Sequence, residues 1–494
     1  MSEMGQKSET GKIRQGLTPL IVTTLFLGII AASHLFIFRV FETDYEHKIR
    51  TFIARAVTNL ANYEAWDDYN TNGNLSYQSP LAVNQIIVIS DSLIATTDRL
   101  VFRENSDIKV RIRSRDSLKL TVSEFKNFTP KAILTSDFKP TVRPPEVSLS
   151  TLNGFDQHDF DTFVFKPSPH YTGWIQLRIE SSRATRNIPI FVEGKQSSDV
   201  LFVESTDTMK AYKSNYGLRT NYVPGARKLY GDFTRPDNYP VEYELKLFGR
   251  WDSIENIDCE DHLANADFVI KHGLVEMGLS FDNASDEFLD HYDNFKNYKL
   301  VIFGAHNEYW TEAKFQNLGR YIDEGGSVLF LGGNTAYRHI KKMDGFAIIW
   351  GADLLHAEFG EWIKKYLGSY YTARGYKTYA PFEMSEDTAS TPLLRNRKAG
   401  EAFGIGTSFD ACKKKITGVS GHETDKYVDQ ARDFILIASG KNENNAGADI
   451  VFKAFDSGGY VLNFGSVSTW HGMNDPVIIE LIRDFTHLVM ASKQ

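Results

Sequence analysis

Cysteine is scarce in this sequence, which limits its redox and thiol chemistry. Only Cys259 and Cys412 occur among the 494 residues, and neither has the spacing of a redox pair or a metal site. The two could form one disulfide in an oxidising compartment or remain free thiols. Neither is flanked by glycines on a tight strand-to-helix turn, so a cysteine nucleophile of the glutaminase type is not expected.

Several common cofactor and hydrolase motifs are also missing. The chain has no Walker A motif, no G-x-S-x-G turn and no H-E-x-x-H zinc motif, and GIGTSF at Gly404 is too short for a dinucleotide fingerprint. Excess positive charge is absent too, since the formal net charge is -8. These absences argue against nucleotide cofactors and nucleic-acid partners.

One long apolar stretch near the start of the chain predicts a membrane anchor. Residues 1–16 read as a polar tail, and residues 17–38 are uncharged over a length that spans a bilayer as one helix. A cleaved signal peptide with its small-residue site at 31–33 is the alternative. Residues 39–82 are expected to form a stalk helix and a loop. The prediction is a single-pass membrane protein with its soluble domains outside the cytoplasm.

Strand-like alternation marks residues 83–196. Apolar residues alternate with polar or charged ones in DIKVRIRSR, SLKLTV and GWIQLRIE, and polar turns that contain proline separate these segments. A period of two places one set of side chains on each face of a strand. The pattern predicts an antiparallel β-sandwich in this region.

From residue 197 to residue 494, strand-like and helix-like segments alternate. Leu300–Phe303 and 327–331 are short apolar runs, and Thr311 is a suitable N-cap for a helix between them that stops at Gly325. Near the end, Asp475 and a following proline read as the start of the last helix. The alternation predicts an α/β doubly wound domain, Rossmann-like or glutamine-amidotransferase-like.

Polar side chains follow the two neighbouring strands at the point where each strand ends. His306 and Glu308 come directly after the first strand, and Asn334 follows the second. In open α/β sheets, ligands bind at the carboxyl edge. Residues two apart in an extended segment point the same way, so His306 and Glu308 are expected to converge. The three side chains form the candidate site.

The motifs around these residues resemble a known family. H-x-E-Y-W after one strand and G-G-N-x-x-Y after the next resemble the N,N-dimethylformamidase large (beta) subunit-like family, C-terminal domain, over about residues 196–490. The resemblance implies that the preceding all-β sandwich is immunoglobulin-like. It also implies a mononuclear Fe(III) site in which Glu308 and two tyrosines are ligands, with His306 and Asn334 beside the metal.

The same resemblance suggests which tyrosines these are. Tyr212 follows an alanine, as the first ligand does in the family. The second ligand lies near an Arg-Pro-Tyr in many members, whereas this chain has Arg-Pro-Asp, so Tyr239 or Tyr230 would take the role. A site that has lost a ligand, and with it the metal, is the remaining alternative.

These features together imply a membrane-anchored, metal-dependent hydrolase of a carbon–nitrogen amide bond. Three anionic oxygen ligands suit a ferric ion, which lowers the pKa of a bound water and polarises a carbonyl. In this scheme His306 moves protons and Asn334 donates to the developing oxyanion. The expected substrate is a small-molecule or glycan-linked amide.

Two further possibilities follow from the sequence. The partner is left open between a homo-oligomer and a small partner subunit, and the family resemblance implies the subunit because the reference enzyme has one. The alternative function is a non-catalytic binding or assembly protein of the cell surface that keeps the fold without a working metal centre. The altered Arg-Pro-Tyr favours this alternative, and the intact H-x-E-Y-W and G-G-N motifs favour the enzyme.

Overall fold

The computed structural model of the chain describes the following residues: 87–90, 93–97, 101–126, 129–141, 160–182, 185–194, 197–211, 214–215, 218–219, 262–343, 346–349, 359–372, 374–376, 378–405, 416–428, 431 and 433–492. The chain divides into two compact units, Met1–Ala61 and Asn62–Gln494, and every described residue belongs to the second. Both cysteines lie outside the described residues.

The predicted tail, anchor and stalk at 1–82 lie outside the described residues as well. Within the ranges given above, no helix is both long and apolar enough to cross a membrane. The predicted N-terminal transmembrane helix is therefore not part of the observed fold. This finding contradicts the predicted location as a single-pass membrane protein.

Nine strands form two sheets in the first part of the described chain. They are β1 (Ile87–Ser90), β2 (Leu93–Thr97), β3 (Val101–Arg103), β4 (Ile108–Ser114), β5 (Leu118–Lys126), β6 (Thr129–Phe138), β7 (Asp161–Phe165), β8 (Gly173–Glu180) and β9 (Thr185–Glu193). One sheet has the order β1-β2-β4-β7 and the other β3-β9-β8-β5-β6. Inward side chains of both sheets, Ile112 and Leu177 among them, share one apolar core.

The rest of the described chain mixes short strands with a few helices. Its elements are β10 (Val200–Glu204), α1 (Thr206–Ala211), β11 (Ser214–Asn215), β12 (Leu218–Arg219), α2 (Ala264–Glu276), β13 (Asp282–Ser285), α3 (Tyr292–Phe295), β14 (Leu300–Phe303), β15 (Tyr309–Thr311), α4 (Glu312–Asp323), β16 (Ser327–Phe330), β17 (Arg338–Met343), β18 (Phe346–Ile349), α5 (Gly360–Tyr366), β19 (Ser369–Tyr371), β20 (Tyr379–Ala380), β21 (Phe382–Met384), β22 (Ala402–Phe403), β23 (Ser420–Gly421), β24 (Asp425–Tyr427), β25 (Ile435–Gly440), β26 (Asp449–Ala454), β27 (Tyr460–Asn463) and α6 (Pro476–Ala491). Short 3-10 helices occur at Asp286–Asp290, Glu386–Ser390, Glu443–Asn445 and Val467–Gly472.

A nine-stranded mixed sheet is the centre of this part, in the order β13-β10-β14-β16-β27-β26-β25-β21-β22. The strands from β13 to β27 in that order pair in parallel. The strands from β27 to β22 pair antiparallel. The predicted α/β doubly wound fold is therefore wrong, because the described chain is mostly β-sheet with few helices.

Short connections explain two of the antiparallel pairs in this sheet. Strands β26 and β27 are separated only by residues 455–459, and β25 and β26 only by 441–448. A parallel pair needs a crossover of a dozen or more residues, whereas an antiparallel pair needs only a turn. Short connections therefore account for the hairpins formed by β25, β26 and β27.

The strand–helix–strand unit that the sequence predicted is confirmed locally. Strands β14 and β16 pair in parallel, and α4 connects them. Thr311 caps this helix, since its Oγ1 accepts a hydrogen bond from Lys314 N at 3.1 Å. Successive residues of β14 reach opposite apolar clusters, Ile302 on one face and Phe303 on the other. Both faces of the strand are thus buried, which fixes where its carboxyl end lies.

Candidate functional site

The predicted site residues lie together where β14 and β16 end. His306 and Glu308 follow β14, and Asn334 follows β16; they are 0%, 4% and 2% exposed. His306 Nε2 is 3.2 Å from Glu308 Oε2. The expected convergence of these two side chains is observed. Because β14 and β16 are parallel neighbours, their polar ends share one edge of the sheet.

Glu423 completes this cluster and was not predicted from the sequence. Its Oε2 accepts a hydrogen bond from Asn334 Nδ2 at 2.9 Å and lies 3.4 Å from His306 Nδ1. The segment that carries Glu423 is held at the same sheet edge, since Val467 N donates to Glu423 O at 3.1 Å in the loop after β27. Glu423 therefore connects the two predicted halves of the site.

The turn after β16 is held by a second acidic residue. Asn334 has a left-handed backbone with φ of 52°, and its N–H donates to Asp425 Oδ1 at 2.7 Å. Thr335 N approaches Asp425 Oδ2 at 3.4 Å. Gly332 and Gly333 precede the turn, and a Cβ on either would collide with neighbouring backbone atoms. Burial raises the pKa of Asp425 to about 7.

The electrostatic environment of His306 is strongly negative. Burial by itself lowers the pKa of this imidazole, but the charge of Glu423 and the hydrogen bond and charge of Glu308 outweigh burial and raise it. Tyr371 pairs with Asp425 across β19 and β24. Its pKa is raised by burial and then by the charge of Glu423. The imidazole thus carries its proton more readily than a free histidine.

Side chains from α1 and α2 position the segment after β14 that carries His306. Asp267 Oδ1 accepts a hydrogen bond from Ala305 N at 2.7 Å, and Asp267 fills the space where a Cβ of Gly304 would lie. Thr208 Oγ1 accepts from Glu308 N at 3.0 Å. These hydrogen bonds hold the backbone N–H groups of Ala305 and Glu308, and they therefore fix the direction of the segment that carries His306 and Glu308.

Ser205 extends this support. Its hydroxyl donates to Asp267 Oδ2 at 3.3 Å and accepts from Asn307 Nδ2 at 3.0 Å. Burial, and then the charge of Glu204, raise the pKa of Asp267 to about 8. Asp267 is therefore a buried hydrogen-bonding support beneath the site.

Other polar and aromatic groups border the cluster. Arg338 Nε is 3.5 Å from Glu308 Oε1, and Arg338 N donates to Glu308 O at 2.8 Å. The His262 ring centroid is 5.0 Å from that of His306 and 4.4 Å from that of His422. Tyr379 Oη is 3.2 Å from His422 Nδ1. These groups give the cluster one cationic and one imidazole-rich side.

The predicted metal ligands are only partly described. Tyr212, Tyr239 and the alternative Tyr230 lie outside the described residues. Glu308 is described, and its two oxygens face His306 and Arg338. In the described part of the chain, no group of three or more His, Cys, Asp or Glu side chains is arranged to hold a metal ion. The predicted iron site therefore stays a prediction.

Comparisons with known proteins give distant structural matches. A protein described as thua-like from Bacteroides uniformis ATCC 8492 is 15% identical, covers 46% of this chain and 87% of its own, and has a TM-score of 0.30. The mmIFT52 N-terminal domain is also 15% identical, covers 44% of this chain and 87% of its own, and has a TM-score of 0.24. Comparison with curated proteins gives no match.

A family model matches much more of the sequence. The match runs over residues 161–478, well over half of the chain, and includes every described member of the site from His306 to Asp425. The predicted family resemblance is confirmed. The family's name points to a dimethylformamidase-like, hydrolase-type activity. The chain belongs to the family of N,N-dimethylformamidase beta subunit-like proteins, C-terminal.

Proposed function

We propose that this protein hydrolyses a carbon–nitrogen amide bond at a site built from His306, Glu308, Asn334 and Glu423. One observation carries the proposal: the buried His306 ring has a carboxylate at each nitrogen, Glu308 at 3.2 Å and Glu423 at 3.4 Å. A histidine held between two acids is favoured in its protonated form, so it can give a proton and later take one back. Amide hydrolysis needs both transfers.

The proton movements can be assigned to atoms. Glu423 accepts a proton from the attacking water as its oxygen bonds to the amide carbon. His306, in its protonated form, gives its Nδ1 proton to the departing nitrogen as the carbon–nitrogen bond breaks. Transfer of the first proton from Glu423 Oε2 to His306 Nδ1 then restores the starting state. No proton is gained or lost by the protein over the cycle.

In this scheme Asn334 orients the Glu423 carboxylate. Its Nδ2 donates to Glu423 Oε2, so one of its two N–H groups is already used. The second N–H group remains for the developing oxyanion, which is the role expected from the sequence. Asn334 therefore orients the base and can also stabilise negative charge on the substrate.

A ferric ion belongs to the proposal, with Glu308, Tyr212 and either Tyr239 or Tyr230 as the residues that would hold it. When bound, it supplies Lewis acidity to the carbonyl and to water. One observation fits this role: the Glu308 carboxylate is buried and offers hard oxygen donors to the cluster. The described His, Cys, Asp and Glu side chains form no alternative metal site.

The test is iron analysis and amide hydrolysis with the full-length chain. The wild type should bind about one iron and release amine from a panel of simple amides that begins with N,N-dimethylformamide. Glu308→Gln should lose both iron and activity. Glu423→Gln should keep iron and lose activity by about 100-fold or more, the usual effect of removing a general base. Glu276→Gln, an exposed glutamate at the end of α2, is the matched control.

The opposite result would be equally clear. A wild-type protein that neither retains iron nor cleaves any amide would contradict the hydrolase proposal. That outcome would favour the non-catalytic binding or assembly protein expected as the alternative. Activity that survives in Glu423→Gln would leave the hydrolase standing but remove Glu423 from the mechanism.

A further inference from the structure

A separate cavity of about 220 Å³ lies between the β-sandwich and helix α2. None of His306, Glu308, Asn334 and Glu423 lines it. Clefts between two structural parts of a protein are common ligand sites. This cavity therefore lies apart from the proposed hydrolase site.

Aromatic side chains form most of the cavity wall. The set includes Phe125, Tyr171, Trp174, Phe268 and Phe281. Phe125 and Phe268 meet edge to face, with ring centroids 5.7 Å apart and an interplanar angle of 88°. Rings in this arrangement favour a flat apolar ligand that stacks or packs edge-on among them. The wall thus selects an aromatic ring in preference to a flexible chain.

Lys271 supplies a hydrogen-bond donor in this apolar setting. It is 4% exposed, lines the cavity and pairs with the fully buried Glu204. Its Nζ lies 5.7 Å from the centroid of the Phe268 ring. An ammonium group has three N–H donors, and among the described residues only Glu204 accepts from it. Donors therefore remain for a ligand oxygen.

Asn283 supplies the complementary acceptor. Its Nδ2 donates to Thr172 Oγ1 at 3.4 Å, and its Oδ1 is buried without a hydrogen-bond partner among the residues that the structure describes. Asn283 also lines the cavity. A buried acceptor without a partner carries a desolvation cost that a ligand N–H would remove. The cavity thus offers one donor and one acceptor beside aromatic rings.

We propose that this cavity binds a small, uncharged aromatic amide whose oxygen accepts from Lys271 and whose N–H donates to Asn283. A carboxylate would offer acceptors only, and it would bring a further negative charge beside Glu204. A tertiary amide would lack the N–H donor. The binding site is independent of the proposed hydrolase site and does not require iron.

Three related probes test the polar requirement by titration calorimetry on the full-length chain. Benzamide has the ring, the acceptor and the donor; N,N-dimethylbenzamide lacks the donor; benzoate is charged. Benzamide should bind at one saturable site at least tenfold more tightly than the other two. Asn283→Ala should remove its advantage over N,N-dimethylbenzamide while leaving the ring contacts intact.

A substitution that fills the cavity tests whether benzamide binds there. Val275 lines the cavity and is 39% exposed, so Val275→Phe should place a ring in it and weaken benzamide binding at least tenfold. Glu276→Phe, one residue further and not part of the lining, should bind benzamide as the wild type does. Glu308→Gln should also leave binding unchanged, which separates this cavity from the hydrolase site. Equal binding of all three probes, or full binding in Val275→Phe, would overturn the proposal.

Discussion

Asn334 has two roles. Its backbone forms the turn after β16, and its side chain contacts Glu423, the proposed base. Its φ of 52° lies in the left-handed region, where a side chain costs about 1 kcal/mol or more, although asparagine tolerates it better than most residues. The backbone N–H of Asn334 donates a hydrogen bond to Asp425, and its side-chain amide donates one to Glu423. Strain of this kind is often found at functional sites.

Substitutions at Asn334 should separate these roles. Asn334→Gly removes the contact with Glu423 but suits the left-handed backbone, whereas Asn334→Ala removes the contact and keeps the strain. We expect the alanine variant to be less stable than the glycine variant by about 1 kcal/mol. Urea unfolding of both variants measures this difference. Equal stabilities would show that the left-handed turn relaxes without its asparagine.

Asp267 should make stability depend on pH. Burial and the charge of Glu204 raise the pKa of Asp267 from an ordinary 3.8 to about 8. Between these values the folded chain keeps the proton and the unfolded chain releases it. The stability due to that proton is complete below about pH 4 and is lost as the pH rises through about 8, by at most about 1.4 kcal/mol per pH unit.

The variant Asp267→Asn tests this linkage because it cannot titrate. From about pH 5 to about pH 8, the unfolding free energy of the wild type should fall more steeply than that of Asp267→Asn. Urea unfolding at several pH values provides the comparison, with exposed Glu276→Gln as the control. Parallel profiles for wild type and Asp267→Asn would rule out a raised pKa at this position.

At the residue scale, the sequence revealed part of the site. His306, Glu308 and Asn334 follow strand ends that a local pattern identifies. Glu423 reaches Asn334 across 89 positions of sequence, and no local pattern shows that pairing. The E-x-D spacing in GHETD was a possible signal, but its importance depends on the loop after β27 that holds it in place.

Among the secondary-structure elements, α6 shows how far local signals extend. Asp475 and Pro476 read as a cap and first turn, and the structure confirms it. Asp475 Oδ1 accepts from Val477 N at 2.9 Å and from Ile478 N at 3.2 Å. Its other oxygen accepts from Gly404 N at 2.8 Å, which ties the helix to the end of β22. One carboxylate therefore joins local capping to tertiary packing.

Removal of this cap should have a measurable cost. Asp475→Ala loses the capping bonds and the bond from Gly404, and we expect a loss of about 1–2 kcal/mol in unfolding free energy. Asp475→Asn keeps a capping oxygen and should lose less, because asparagine is a good N-cap. Chemical denaturation of both variants measures the order. A larger loss in the asparagine variant would mean that the charge matters more than the hydrogen bonds.

Local sequence patterns did not predict the antiparallel half of the mixed sheet. Phe382 of β21 pairs with Gly440 of β25, which lies 58 positions further along the chain. The direction of each strand in this region depends on which strands pair, and a local sequence pattern does not specify that pairing. A prediction that extended the parallel pattern over this region was therefore wrong, although the unit from β14 to β16 was right.

Across the molecule as described, the sandwich and the mixed sheet share apolar contacts and buried polar contacts. Leu263, Tyr309 and Ile340 belong to the same apolar cluster as the sandwich core. Glu193 of β9 accepts from Ser285 Oγ of β13 at 2.7 Å, and both residues are buried. The domain boundary predicted between residues 196 and 197 thus stays a prediction, and the contacts across it indicate mutual stabilisation.

This arrangement predicts that the two parts unfold together. A chain cut at the predicted boundary, starting at residue 197, would expose the apolar residues that cover the sandwich core and leave Ser285 without its acidic partner. The longer chain should therefore show one cooperative urea transition by tryptophan fluorescence and by circular dichroism, and the fragment should be clearly less stable. Glu193→Gln should weaken the coupling without removing the apolar contacts. Two well-separated transitions, or a fragment as stable as the whole, would show that each part folds alone and that the shared core contributes little.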